Sequence, residues 1–330
     1  MSAVAGMGVR AQLVTPEAAD AAAALEPGKL HVRHVNGDQS LKYFVYVPRE
    51  KNVDAPLFVT VHGVSRNARQ HAELFAEYAE EYGVVLVAPY FSKRRFGDYQ
   101  RLGREGSGQR ADLALQKIIH EVEVLTGTDG SKLMLFGFSG GGQFVHRYAM
   151  ACPDKVLKIV IGAAGWYTWP EDARKYPYGT AADARLEGVD FTLQKFLKVP
   201  ACVLVGQWDI KYDPGLNQSS RIQQQQGFTR LERGRRWVEA MNRAAMAHGL
   251  DTVYEFSMLR GVNHDFSLAM TNGNLGQHVF SYLYGAAPSL KANAELPVPS
   301  SQADVRQREP GVPAACALTD LQAKKFPRQE

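Results

Sequence analysis

Residues Lys132 to Gly142, Lys-Leu-Met-Leu-Phe-Gly-Phe-Ser-Gly-Gly-Gly, constrain this chain more than any other stretch. The apolar run Leu133 to Phe136 reads as a buried strand, and Gln143 to Met150 reads as a helix. Between them stands Gly137-Phe138-Ser139-Gly140-Gly141. A serine that projects its hydroxyl from a sharp strand-to-helix turn sits in strained backbone, and the positions flanking it need side chains no larger than hydrogen. Gly137 and Gly141 provide that clearance. The new helix then turns its unpaired N–H groups toward any anion that forms beside Ser139. A glycine-rich turn with an incidental serine would have the same letters, so the reading depends on what the rest of the chain supplies.

The remaining pattern is that of alternating strands and helices. Leu57 to Val61, Val84 to Ala88, Leu133 to Phe136, Val156 to Ile161, Ala201 to Val205 and Val253 to Phe256 are short aliphatic runs, suited to strands covered on both faces. Leu30 to Val35 and Lys42 to Val47 instead alternate apolar with polar residues, and Asn36-Gly37-Asp38 between them is turn chemistry. Helical stripes run through Leu74–Tyr82, Ala111–Leu125 and Trp237–His248. The expected fold is a doubly wound, mostly parallel α/β sheet with antiparallel N-terminal edge strands and a small lid insertion. The expected division is a flexible extension at 1–28, the α/β domain at 29–285 with its lid at about 165–198, and a disordered Pro/Ala/Gln/Ser-rich tail at 286–330. A second insertion, Lys211 to Arg236, carries the Gln223–Gln226 run and many arginines.

Composition excludes several classes. The 330 residues are 45% hydrophobic and 22% charged, ordinary for a globular protein, and a net charge of +4 without a basic stripe argues against nucleic acid as a partner. No apolar run approaches the ~18–20 residues needed to span a bilayer, so no membrane partner is expected. Cys152, Cys202 and Cys316 are scattered without metal-ligand spacing, which points to reduced thiols in a cytoplasmic compartment. The N-terminus lacks the basic start and continuous apolar core of a signal peptide. Oligomeric state is not legible.

A lone serine is a poor nucleophile and needs a base and an orienting acid. Gly206-Gln207-Trp208-Asp209 follows the run Ala201–Val205, which sets a carboxylate just beyond a strand's C-terminal end. Gly261-Val262-Asn263-His264 follows the run near Val253–Phe256 and places a histidine on a loop before the last helix. In an open α/β sheet the strand C-termini share one edge, so Ser139, Asp209 and His264 can converge there. Asp213 competes for the acid role. The histidines at 31, 34, 71, 120, 146, 248 and 278 sit on early segments or helices, and no pair among them has zinc spacing. Val61-His62-Gly63-Val64-Ser65 follows an early strand; Gly63 permits an unusual turn, and the Val64 N–H joins that of Gly140 as an anion donor.

Val61-His62-Gly63, Gly137-Phe138-Ser139-Gly140-Gly141, Gly206-Gln207-Trp208-Asp209 and Asn263-His264-Asp265-Phe266 together resemble the α/β-hydrolase superfamily. Within it the chain is similar to the esterase branch of polyhydroxyalkanoate depolymerases and feruloyl esterases, from about Leu41 to Tyr284. The resemblance implies a Ser139–His264–Asp209 triad and a Val64/Gly140 oxyanion hole; separately, no cofactor and no metal are expected. The resemblance does not fix a substrate; the leading expectation is cleavage of a small-molecule or oligomeric carboxylic ester through an acyl-enzyme. A thioesterase or amidase would use the same machinery, and a non-catalytic binding protein would share the fold. Secreted depolymerases of that branch usually carry an export signal and disulfides, so hydrolysis of an extracellular polymer is not expected.

Two further features bear on substrate. Trp166-Tyr167-Thr168-Trp169-Pro170 follows the strand ending near Ile161, so Trp166, Tyr167 and Trp169 either contact an acyl or aryl group or pack the lid against the core. Lys93-Arg94-Arg95, Arg101, Arg104 and Arg110, and separately Arg230, Arg233, Arg235 and Arg236, either attract an anionic substrate or are solvated loop residues.

Overall fold

The computed structural model describes residues 24–286 except Tyr212 and Pro214. The extension expected at 1–28 and the tail expected at 286–330 lie outside these residues, apart from their inner margins. At the first margin, the Gly28 N–H donates to the Val47 carbonyl at 2.8 Å.

Eight strands form one sheet: β1 Leu30–Val35, β2 Asp38–Tyr46, β3 Leu57–Val61, β4 Leu86–Pro89, β5 Leu133–Phe138, β6 Val156–Gly162, β7 Ala201–Gly206 and β8 Tyr254–Leu259. Their spatial order is β1-β2-β4-β3-β5-β6-β7-β8. β1 pairs antiparallel with β2, and β2 antiparallel with β4; every later pairing is parallel. The hairpin turns at Asn36-Gly37, where Gly37 takes φ +75°, a conformation open to glycine at no steric cost.

The helices are α1 Ala68–Tyr82, α2 Ala111–Thr126, α3 Gly140–Ala151, α4 Leu193–Phe196, α5 Ser220–Gln226, α6 Arg230–Ala247, α7 Phe266–Thr271 and α8 Leu275–Tyr284. Successive strand side chains point to opposite faces, which makes two cores. Leu57, Val59, Val61, Leu133 and Leu135 pack with α2, α3 and α6. Phe58, Met134, Phe136 and Phe138 pack with α1, α7 and α8. A helix layer on each face is why β3 and β5 read as almost wholly apolar runs, with Thr60 the polar residue of β3.

Among the boundaries that differ from the sequence reading, two flank the loops that carry the late polar residues. β8 runs to Leu259 rather than Phe256, because this edge strand is half exposed and its apolar signal is weak. The stretch Lys211–Arg236 is not a plain insertion: it holds α5 and the start of α6. The Thr229 hydroxyl accepts from the Glu232 N–H while the Glu232 carboxylate accepts from the Thr229 N–H, a capping box that begins α6. Among the described residues no helix is long and apolar enough to cross a membrane.

Candidate active site

The turn after β5 explains the glycines around Ser139. Ser139 takes φ 55°, ψ −111°, a strained backbone for a non-glycine residue. A Cβ on Gly137 would lie 2.2 Å from the Gly141 carbonyl oxygen, and one on Gly141 would lie 1.9 Å from that of Val61. Neither contact is possible, so glycine at both positions is a packing requirement. Ser139 occupies the N-cap position of α3, yet its hydroxyl makes no capping bond. Its Oγ stands instead 3.0 Å from Nε2 of His264.

His264 comes from the loop after β8, and Asp209 from the turn after β7. The Nδ1–H of His264 donates to Oδ2 of Asp209 at 2.7 Å. Two backbone bonds tie these turns together: Gln207 N–H to Leu259 O and Trp208 N–H to Val262 O, each 2.8 Å. The Asp265 carboxylate accepts from the Leu268 N–H at 2.8 Å and caps α7, which holds the end of the histidine loop. Two helices rather than one follow that loop. Asp209 is buried at 4% exposure, whereas Ser139 and His264 are half-buried and reachable. Asp213, the competing carboxylate, bonds Arg230, whose guanidinium holds its carboxyl below the ordinary range.

The loop after β3 lies against the serine. A Cβ on Gly140 would be 3.1 Å from Val64 Cγ1, and one on Gly63 would be 3.5 Å from Ser139 Cβ. Gly63 does not adopt the unusual turn the sequence suggested; the left-handed residue of this loop is Arg66, at φ 58°. His62 is fully buried beneath the loop. Its Nε2 accepts from the Phe91 N–H at 3.0 Å, so Nδ1 carries the proton and donates to the Gly63 carbonyl at 2.7 Å. Burial pushes its pKa down to about 4, so His62 is a neutral brace. Tyr99, also buried, donates to the His62 carbonyl at 3.0 Å and closes the floor next to Gly140.

The aromatic insertion is mostly core. Tyr167, which the sequence offered as either a substrate contact or a core ring, is fully buried and stacks on Trp237 with centroids 5.0 Å apart. Its backbone N–H and carbonyl are both held by the Gln226 side-chain amide, at 2.9 and 2.8 Å. A ring stacked in the core on a bracketed backbone cannot reach substrate, and that role is withdrawn for Tyr167. Trp166 is 7% exposed with the Arg147 guanidinium 4.3 Å from its ring centroid, and Trp169 is half-buried against the core. Trp237 Nε1–H donates to the Thr168 carbonyl at 2.9 Å, and the Thr168 N–H donates to His146 Nε2 at 3.1 Å. The lid base is thereby stitched to α3 and α6.

Several of the arginines in both groups are already engaged within the protein. Arg95 pairs with Asp38, Arg101 and Arg104 with Asp98, and Arg110 with Asp112. The fully buried Arg233 donates to the carbonyls of Gly227, Gly165 and Asn217. Two contacts that the sequence does not reveal touch the site. The Phe138 ring stacks on His264, and Arg230 contacts Asp209. The apolar letter between Gly137 and Ser139 was a signal for the first. The second is a long-range pairing with no local signature. Among the described residues no group of three or more His, Cys, Asp or Glu side chains could hold a metal ion.

By fold, the chain is an α/β-hydrolase. Its structural neighbours are esterases and serine hydrolases. A poly(3-hydroxybutyrate) depolymerase from Bordetella parapertussis is similar at TM-score 0.63 and 25% identity, over 80% of this chain and 92% of that one. Poly(aspartic acid) hydrolase-1 from Sphingomonas sp. KT-1 is similar at TM-score 0.65 and 23% identity, over 79% of this chain and 100% of that one. A fluorophosphonate-binding serine hydrolase from Staphylococcus aureus follows at TM-score 0.51 and 13% identity, over 78% and 99%. No protein-family model and no curated protein sequence matches the chain.

Proposed function

We propose that this chain is a serine hydrolase that cleaves a carboxylic ester through an acyl-enzyme. One observation carries the reading: Ser139 Oγ, His264 and Asp209 form a single hydrogen-bonded chain, with contacts of 3.0 and 2.7 Å. In this reading Ser139 attacks the acyl carbon and its proton passes to His264 Nε2. Asp209 holds the tautomer that leaves Nε2 free to accept it, and stabilises the imidazolium. The Gly140 and Val64 amides receive the negative oxygen of the tetrahedral intermediate. His264 then returns the proton to the leaving alcohol, and a water, activated by the same imidazole, releases the acid.

The test is fluorophosphonate labelling of the full chain together with hydrolysis of matched p-nitrophenyl ester, acyl thioester and anilide substrates. Stoichiometric labelling, its loss in Ser139→Ala, and preference for the ester are expected. Folded protein that takes no label, or that prefers the thioester or anilide, overturns the proposal.

A further inference from the structure

The Asp209 carboxylate has two oxygens, and only one is engaged by His264. The other, Oδ1, accepts from Nη1 of Arg230 at 3.2 Å. The second terminal nitrogen of the same guanidinium, Nη2, donates to Oδ2 of Asp213. Arg230 is 5% exposed and Asp209 4%, so bulk water does not serve either group at this contact. Asp213, by contrast, is a third exposed at its side chain.

The arginine is itself rigidly based. It is the first residue of α6, directly after the N-cap Thr229, and the Thr229–Glu232 capping box fixes the backbone there. Glu232 also accepts from the Phe228 N–H at 2.7 Å, which holds the chain entering the helix. The planar fork of a guanidinium can address two carboxylates at once in one geometry, which a lysine ammonium cannot. The neighbouring cation Arg233 is engaged by three backbone carbonyls and is not available to replace it.

The backbone bonds between the Asp209 and His264 turns fix where the two Cα atoms stand, but they leave the plane of the carboxyl group free. That terminal torsion is broad and soft for aspartate. We infer that Arg230 is a positioning residue: it clamps the plane of the Asp209 carboxylate, with Asp213 anchoring the far end of the clamp, so that Oδ2 stays directed at His264 Nδ1. The charges fit this role. Asp209, Asp213 and Arg230 sum to −1 at rest, and an imidazolium on His264 brings the cluster to neutrality.

The activity readouts below rest on the esterase reading; the spectroscopic one does not. Arg230→Met is expected to lower kcat on a p-nitrophenyl ester by roughly 10²-fold with little change in KM, the pattern of a misaligned catalytic group. Arg230→Lys should lie between it and the parent, and Asp213→Asn, which frees only the outer end of the clamp, should lose less than Arg230→Met. Guanidinium ion added to Arg230→Ala should restore part of kcat, and should do nothing for Asp209→Asn. Thermal melting of each variant separates folding from positioning, and Asp213→Asn decides the matter if the Arg230 variants do not fold. The low-field NMR signal of the His264 Nδ1 proton, assigned by its loss in His264→Ala, should broaden in Arg230→Met. A folded Arg230→Met with parental kcat, or with a sharp unshifted Nδ1 proton, overturns the proposal. Absence of ester hydrolysis and labelling in the parent chain overturns the esterase reading instead, and the Nδ1 proton then decides the clamp.

Discussion

The ring of Phe138 lies almost parallel to the imidazole of His264, with centroids 5.3 Å apart and planes inclined by 21°. The residue before the serine therefore packs on the face of the ring that addresses the serine. Phe138 is 6% exposed, and the Phe266 ring also packs against it, tilted by 59° with centroids 5.5 Å apart. Phe138→Ala opens space beneath the imidazole and should cost about 3–5 kcal/mol of stability. Phe138→Leu keeps most of the volume without the flat face; its kcat should fall about tenfold at near-parental stability, as measured by steady-state kinetics and thermal melting.

Asp209→Asn preserves volume but offers an amide to His264 Nδ1 and disturbs the tautomer. On the triad reading, kcat should fall roughly 10⁴-fold with KM little changed. Fluorophosphonate labelling rate provides a second measure and should fall in parallel. Retention of more than a tenth of parental kcat would mean that Asp209 is not the orienting acid.

Gly141→Ala places a methyl group 1.9 Å from the Val61 carbonyl oxygen, in rigid backbone on both sides. Overpacking of this kind costs about 1–3 kcal/mol where the neighbours can yield. Here both are backbone, and the loss should exceed that range. Gly127→Ala, at φ +64° with open space around it, should cost only about 1–2 kcal/mol of left-handed strain. Chemical denaturation of the pair separates crowding from conformation.

His62, His71 and His146 are fully buried, and burial lowers the pKa of each, to about 4 for His62 and well below the ordinary value for the other two. A depressed histidine binds its proton later in the folded chain than in the unfolded one. Its contribution is complete above the unfolded value of 6.5 and is lost as pH falls toward the folded value. For His62 the loss between pH 6.5 and 4 is about 3 kcal/mol. Urea midpoints measured across this window should fall steadily with acidification, and the slope should be shallower in a folded His62→Gln. A midpoint independent of pH from 6.5 to 4 contradicts the assignment.

Gln226→Ala removes both partners of the Tyr167 backbone in a region without solvent access. Two buried groups left unpaired should cost about 2–6 kcal/mol. Gln226→Glu retains the acceptor for the Tyr167 N–H but loses the donor to its carbonyl and buries a charge, so it should be no better. Differential scanning calorimetry reads both.

The strands that build the sheet were legible because β3, β5, β6 and β7 are covered on both faces, which leaves little room for polar letters. β8 was cut short because an edge strand with a half-exposed face dilutes the same signal. The serine, histidine and aspartate were legible because topology places the ends of β5, β7 and β8 on one rim, and residues just past those ends have few other places to be. Arg230 was not legible. Its polar surroundings suggested a loop, although Thr229 and Glu232 spell a helix start three residues apart, and what buries its charge lies 21 positions upstream at Asp209. The sequence leaves Tyr167 open between substrate and core for a related reason: an aromatic-rich lid has the same composition whether its rings face a ligand or Trp237.

The bonds from Gln207 to Leu259 and from Trp208 to Val262 splice two separate turns into one corner of the molecule. Ser139 is held apart from that corner, in the turn between β5 and α3. The Asp209–His264 contact of 2.7 Å therefore lies within one cross-linked corner, whereas the His264–Ser139 contact of 3.0 Å spans from that corner to the β5–α3 turn.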